Sequence, residues 1–433
     1  MPFFFTLGKY KLFEHLISYY KKMMKHLCLV ISSFFFLFCS IVNGEWNQFR
    51  GVTGQGHVDS KIPKFWSQNS SNLAWRTSIT GTAWSSPILV RDQIVVTNAR
   101  TLTDGESLCL EVVALNESTG KINWRSPLFT YPDLPRIHRK NSYASPTPYF
   151  DGDSIFVHYG NLGTACLNTD GKTRWKKVFD YSPVHGSGCS PVVHDNLLIF
   201  SADGASDPCI YGLDKKNGNI LWKTIRTSKT KKNFSFCTPL VVPRGRGLQI
   251  ISPASEFVFS YSLEGKEIWK FNYPGGYSVV PRPVFSDGIV FVSSGYDRPT
   301  LYAIKTDGVG DVTGSKLIWK TSKSVPRNSS IILINNLLFM VADNGVVSCL
   351  DAKTGATHWI ERVGGSCSSS LLHANGLIYL TDETGKTFVF EAKRKYQLRA
   401  VNDLKERTLA SSMAHNNSVF IRTEKAIYRF DTE

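Results

Sequence analysis

The 433-residue chain is 42% hydrophobic, 12% aromatic and 20% charged. This excludes a disordered or low-complexity polymer and gives enough apolar surface for one large all-β body or two to three ordinary domains. Its net charge is +15; residues 1–44 hold five Lys and one Glu, a surplus of 4, so the remainder keeps +11. That balance favours acidic partners such as polyanions or anionic membrane surfaces, with an ordinary solvated basic surface as the plain alternative.

Residues 23–44 read MMKHLCLVISSFFFLFCSIVNG. A short positive start, an apolar run from Leu27 to Val42 and the small-residue ending Val42-Asn43-Gly44 predict a secretory signal cleaved before Glu45. The run is too short for a confident membrane span. Residues 1–22 are atypical ahead of such a signal, so translation is expected to begin at Met23 or Met24. Phe38 is too bulky for the usual lipoprotein box at Cys39. The mature chain is thus expected to be exported, periplasmic or extracellular, with outer-membrane association left open and no transmembrane span. Residues 45–72 are read as an N-terminal extension.

From residue 73 onward the chain repeats itself. NESTGKINW (116–124), NTDGKTRW (168–175), DKKNGNILW (214–222), SLEGKEIW (262–269) and DAKTGATHW (351–359) share one pattern, and KTDGVGDVTGSKLIW (305–319) is a longer version. The acid or Asn opens a turn by bonding its own backbone, and Gly supplies a positive φ. Alternating apolar residues flank each turn, so each unit is a hairpin with Trp on the outgoing strand. Trp75, Trp124, Trp175, Trp222, Trp269, Trp319 and Trp359 recur every 40–51 residues or so, the length of a four-stranded propeller blade. A degenerate copy at 391–401 carries Leu398 in the Trp position.

Each outgoing strand is followed by a second signature: WSSPILV (84–90), YASPTPYF (143–150), GCSPVV (188–193), FCTPLVV (236–242), VVPRPVF (279–285), NSSIILI (328–334), CSSSLLH (367–373) and ASSMAHN (410–416). These read as the innermost strands of eight blades. The repeat region starts with a fourth strand, LAWRTSI (73–79), and ends with a third, AIYRFD (426–431). The expected fold is therefore all-β: an eight-bladed β-propeller of four-stranded antiparallel blades over 73–433, its last blade closed by an N-terminal strand. Closure of this kind removes free sheet edges.

The pattern Ala-x-Asp-x-x-Thr-Gly-x-x-x-Trp resembles the repeat of pyrroloquinoline-quinone (PQQ)-type propellers. That resemblance covers nearly all of 73–433 and implies that each Trp docks on the neighbouring blade. WNQFRGVTGQG (46–56) and HRKNSYASPTP (138–148) are more similar to a branch of exported propellers related to the BamB outer-membrane assembly factor. The first resemblance implies quinoprotein dehydrogenases as an alternative, with PQQ and calcium as cofactors. Those enzymes are longer and carry a vicinal Cys pair, and no two Cys are adjacent here. The leading expectation is a non-catalytic, monomeric binding or scaffold module with no cofactor, no metal and no nucleic-acid partner. No catalytic residue is assigned.

Asp307, Asp311 and Thr313 suggest a calcium loop, but their spacing is not that of an EF-hand and they fill an outer-turn slot. The Cys residues after the signal number seven, so at least one is unpaired in an exported monomer.

Topology locates a candidate site. In an up-and-down blade, the loop before the first strand and the loop between strands two and three emerge on one side. Those loops hold His138, Lys140, Asn141, His185, Arg327, Asp297 and Arg298, and Arg282 lies within a first-strand segment. This set is expected to converge on one mouth of the central channel. Arg282, close to the axis, would need a partner such as Asp297. Arg, Lys and neutral His suit an acidic protein or an acidic glycan; the plainer reading is a wet channel whose charges pair with one another.

Overall fold

The computed structural model describes residues 46–228 and 230–432. The expected signal, the alternative starts and Cys39 lie outside the described residues. Eight sheets form the ring. Blade one holds Ile88–Val90, Gln93–Thr101, Leu108–Asn116 and Ile122–Tyr131, and six blades follow the same antiparallel plan in chain order. The eighth is assembled from both ends of the repeat region. Its inner strands are Met413–His415, Ser418–Arg422 and Ala426–Asp431. Its outermost strand is Leu73–Ser78, antiparallel to the third, with Leu73 opposite Phe430 and Ser78 opposite Ala426. Eight blades and closure from the N-terminal side are thus observed. No helix among the described residues is long and apolar enough to cross a membrane.

Blade packing explains the hydrophobic pattern. Second and third strands lie between two neighbouring sheets, so they read as continuous buried runs: Ser154–His158 and Leu197–Ala202 are buried throughout. Fourth strands face solvent, and in Thr173–Lys177 only Trp175 is buried. Turns from first to second strands use left-handed residues such as Asn335, Asn375 and Asn416, which match strand twist.

The recurrent Trp residues join the outer parts of adjacent blades. A Cβ on Gly120, Gly171, Gly218, Gly265 or Gly355 would come within 2.5–2.7 Å of Trp75, Trp124, Trp175, Trp222 or Trp319 of the preceding blade. Trp75, Trp175, Trp222 and Trp319 also donate Nε1–H to a backbone carbonyl in that next hairpin, each at 2.9 Å. The turn Gly therefore has two reasons to be Gly: its positive φ, and the indole seated on it. Trp75, Trp175 and Trp269 are buried; Trp124, Trp222, Trp319 and Trp359 are half-buried. Two departures have visible causes. Trp359 donates to the Lys393 carbonyl at 3.0 Å, in the degenerate turn. Trp269 is fully buried because the long turn after it lays Gly310–Asp311 parallel to Trp269–Lys270, and its indole bonds Gln249 of its own blade. In that same turn Asp311 is bonded by Thr313, and Asp307 pairs with Lys316.

Residues 46–72 cross the ring on the side away from the mouth. Trp46 and Asn47 carbonyls accept from Leu89 and Phe150 amides, both at 2.8 Å. Gln55 accepts from the Phe285 amide at 2.7 Å, and His57–Val58 pairs in parallel with His373–Ala374. The extension thus bridges first strands of blades one, two, five and seven. Asn402 then clamps it, accepting from the Trp66 amide and donating to the Lys64 carbonyl, before the chain turns into Leu73–Ser78.

Two substitutions separate the contributions at the turn glycines. Gly355 (φ +73°) lies under Trp319, whereas Gly376 (φ +78°) has open space where a Cβ would stand. Gly376→Ala is expected to cost about 1 kcal/mol from backbone strain alone, and Gly355→Ala about 2–4 kcal/mol. Equal losses in denaturant titrations would show that Trp docking adds nothing.

Two packed imidazoles set a pH dependence. Burial, then His373, holds His57 down to about 4. Burial holds His158 down to about 3, where it stacks on Phe200 with ring centroids 4.2 Å apart and bonds Thr164 at 2.8 Å. The unfolded chain therefore binds more protons below about 6.5, so these groups contribute full stability above that pH and lose it as pH falls. The thermal midpoint is expected to drop between about pH 7 and 5, and a His57→Gln, His158→Gln variant should show a shallower drop; an unchanged slope would refute this assignment.

Candidate functional site

The eight segments that enter the first strands build the neck of the channel. Two residues before each first strand stand Ser86, Thr147, Ser190, Thr238, Arg282, Ser330, Ser370 and Ser411. The amide at this position donates to the side-chain hydroxyl of the next blade. Ser86 bonds Thr147, Thr147 bonds Ser190, and Ser190 bonds Thr238, at 2.9–3.0 Å. Arg282 bonds Ser330, Ser330 bonds Ser370, and Ser370 bonds Ser411, at 2.8–3.1 Å. The result is an inner belt of six contacts with two gaps, one where Arg282 replaces a hydroxyl and one between Ser411 and Ser86.

Arg282 does not join the mouth. It is 2% exposed, and its guanidinium donates to the Pro239 carbonyl, the Gln48 side chain and the Phe49 carbonyl. The expected pairing with Asp297 is therefore corrected: Arg282 is spent on the N-terminal segment, because the axis beneath it is filled by that segment. Gly54, at φ +68°, makes room, since a Cβ there would sit 2.3 Å from Arg282 Nη1. Arg50 is buried beside it, bonded to the Gln55 and Ile331 carbonyls. Burial, and the mutual repulsion of the two cations, holds Arg50 down to about 9; burial holds Arg282 down to about 10.

Above this plug lies a cup of about 280 Å³, with Phe49 in its lining. Four residues expected at the mouth line it: His138, Lys140, Asn141 and His185. Asn141 fixes its own loop to the next one, donating to the His185 carbonyl at 2.8 Å and the Ser187 carbonyl at 3.2 Å. His138 and His185 lie 5.2 Å apart, ring to ring. Burial, then the neighbouring His138, lowers the pKa of His185. Lys140 pairs with Glu383 at 2.8 Å, linking the loop before blade two to blade seven.

The aromatic wall was not foreseen as a unit. His185, Phe234, Tyr277 and Tyr296 follow one another with centroid separations of 5.2, 5.6 and 6.4 Å. Lys232 sits 4.0 Å over Tyr277, Arg327 5.6 Å over Tyr296, and Arg407 5.1 Å over Trp84. Asp297 is exposed and accepts from Tyr277 and Lys232. Arg327 reaches the Asp297 carbonyl at 3.4 Å. Arg298 is exposed beside Asp297 and is not part of the cup lining. The eight expected residues thus divide into four in the cup, three at its rim and Arg282 beneath it.

No Asp or Glu lines the cup, and no cluster of three or more His, Cys, Asp or Glu able to hold a metal occurs among the described residues. The seven Cys from Cys109 to Cys367 are free and buried; burial pushes Cys189 and Cys367 up to about 12, far from the thiolate character that reactivity needs.

Arg282→Met is expected to leave the acceptors on Gln48, Phe49 and Pro239 unpaired, at a cost of about 2–4 kcal/mol. Residues 46–56 should then become susceptible to limited proteolysis. Wild-type resistance in that segment would refute the anchoring role of Arg282.

Comparison with known proteins places this geometry. The family described as outer membrane protein assembly factor BamB matches residues 110–360 and 309–429. The outer membrane protein assembly factor BamB of Moranella endobia is 23% identical over 298 residues, covering 64% of this chain and 72% of that protein. Among solved structures, BamB from Moraxella catarrhalis superposes with a TM-score of 0.58 at 12% identity, over 83% of this chain and 98% of that one. Quinohemoprotein alcohol dehydrogenase from Comamonas testosteroni superposes with a TM-score of 0.65 at 10% identity, over 90% and 80%. At such identities the two structures share the fold alone.

Proposed function

This chain belongs to the family of the outer membrane protein assembly factor BamB, and we propose that it is a non-catalytic binding module, exported and associated with the outer membrane, whose mouth receives an acidic protein partner. The observation that carries the reading is the blind cup with its aromatic, cation-capped rim. Lys232 and Arg327 stand over Tyr277 and Tyr296, held in place but solvent-facing, where they attract a partner over a distance set by salt. Partner carboxylates would compete with Glu383 and Asp297 for Lys140 and Lys232. The Lys232–Asp297 pair is exposed, and such pairs are worth little and exchange readily, whereas Lys140–Glu383 is half-buried and holds more firmly.

A quinone dehydrogenase is the other reading that the fold allows. The residues do not fit it: the cup offers no carboxylate for a calcium ion, and no adjacent Cys pair exists.

Titration with an Asp/Glu-rich peptide across a salt series tests the proposal. Affinity is expected to fall about tenfold or more between about 0.05 and 0.5 M salt, since the Debye length shrinks over that range. Lys232→Ala with Arg327→Ala should weaken it severalfold at low salt while the thermal midpoint holds. A sulfated or uronic glycan binding in place of the peptide would reassign the partner. Salt-independent binding, or dye-linked oxidation on adding quinone and calcium, would overturn the proposal.

A further inference from the structure

The inner belt has a chemical consequence beyond holding blades together. A hydroxyl has one proton and two lone pairs. In Thr147, Ser190, Thr238, Ser330, Ser370 and Ser411 one lone pair is taken by the amide of the preceding blade. None of the six donates its proton to an acceptor among the described residues. Each is at most 9% exposed, and all six line the cup. Their protons are therefore available to an acceptor in the cup. Ser86, 2% exposed on the same ring, lines the cup as well and accepts no amide. Donors from seven blades converge on one axis, with Lys140 above them and no carboxylate in the wall.

We propose that the cup is a receptor for a terminal oxyanion, a carboxylate on a short flat or apolar stem. This rests on the mouth being a binding surface and names the group that enters it. Donors fixed before the ligand arrives bind an oxyanion without reorganising, which is the physics of an oxyanion hole. The stem follows from the rest of the lining: Phe49, Val280, Leu409, Trp84 and Phe236 are apolar. The volume of about 280 Å³ takes an end group, not a folded segment. The six belt oxygens are bonded to backbone in neighbouring blades, so the donor ring is as rigid as the propeller.

The test uses 4-fluorobenzoate and its neutral counterpart 4-fluorobenzamide, followed by ligand-observed fluorine NMR on the full mature chain. Benzoate is expected to bind and benzamide to bind at least about tenfold more weakly, the size of a charge-assisted hydrogen bond. Ser86→Ala orphans no amide, so it should leave melting unchanged and weaken benzoate about fivefold. Ser370→Ala should weaken it as well; since that variant orphans the Ser330 amide, its melting curve is recorded alongside. A short peptide with a free carboxyl terminus, compared with its amidated form, separates a small free acid from the end of a partner chain: discrimination assigns the second source, its absence the first. Equal binding of benzoate and benzamide, no benzoate binding at about 10 mM (a ceiling of under 3 kcal/mol), or wild-type affinity in Ser86→Ala would overturn the receptor. The salt-dependent peptide binding at Lys232 and Arg327 would survive that result, so the two failures are distinguishable.

Discussion

The pairing of Leu73–Ser78 with Ala426–Asp431 is the contact on which the rest of the molecule depends. A propeller that starts and ends at a blade boundary closes only through side-chain packing; this ring closes through a backbone ladder, so opening it at blade eight must also break strand pairing between the two ends of the repeat region. The ladder imposes a route on what precedes it. From Trp46 at the first strands to Leu73 at the rim of blade eight, the chain has to pass beneath the ring. The extension uses the passage: it satisfies amides of Leu89, Phe150, Phe285 and His373 that would otherwise face the axis. Closure of the ring and closure of the channel floor are thus one feature.

Two concentric interactions hold blade to blade. At the periphery, an indole rests on a turn glycine and donates to the adjoining carbonyl. At the neck, an amide donates to a hydroxyl two residues ahead of the next first strand. Between them, buried guanidiniums cross the interfaces: Arg422 reaches Ser85, Thr97 and Asn98 of blade one, and Arg226 pairs with Asp203 at 2.8 Å while also bonding Ser252 of blade four. A fully buried cation is costly unless hydrogen-bonded or paired. Arg422 and Arg282 are satisfied by neutral carbonyls, amides and hydroxyls, which leaves both as positive charge stored inside the ring.

The architecture was legible because its signals are local. Acid, Gly and Trp fall within nine residues in DAKTGATHW, and turn chemistry plus periodic spacing sufficed to count blades and to find the split one. The convergence of His138, Lys140, Asn141 and His185 was also readable, since up-and-down connectivity alone puts their loops on one side. Arg282 was misplaced for the opposite reason: its partners, Gln48 and Phe49, lie more than 230 residues away in a segment with no repeat signature. The belt hydroxyls were present in every quoted first-strand segment except VVPRPVF, but a hydroxyl preceding a strand reads as turn chemistry until the next blade is seen behind it. A Ser or Thr at a fixed offset from seven of eight first strands is a periodic signal at blade length, as strong in principle as the Trp.

The break in that period carries functional information. Seven blades place a small donor at the neck; the fifth places a cation there and turns it toward the extension. A hydroxyl at 282 would have given the Thr238 amide a belt partner but left the Gln48 side chain and the Phe49 carbonyl without the donors that Arg282 supplies. Arginine gives up one belt contact, from Thr238 to blade five, and fixes the floor instead. The cup is therefore asymmetric by construction: its donor arc is broken at blade five, where Phe49 and Val280 lie, while Trp84, Phe236 and Leu409 add apolar surface ahead of blades one, four and eight. A ligand with one charged end and one flat apolar face matches that asymmetry in a single orientation. A symmetric anion would leave that apolar surface unused.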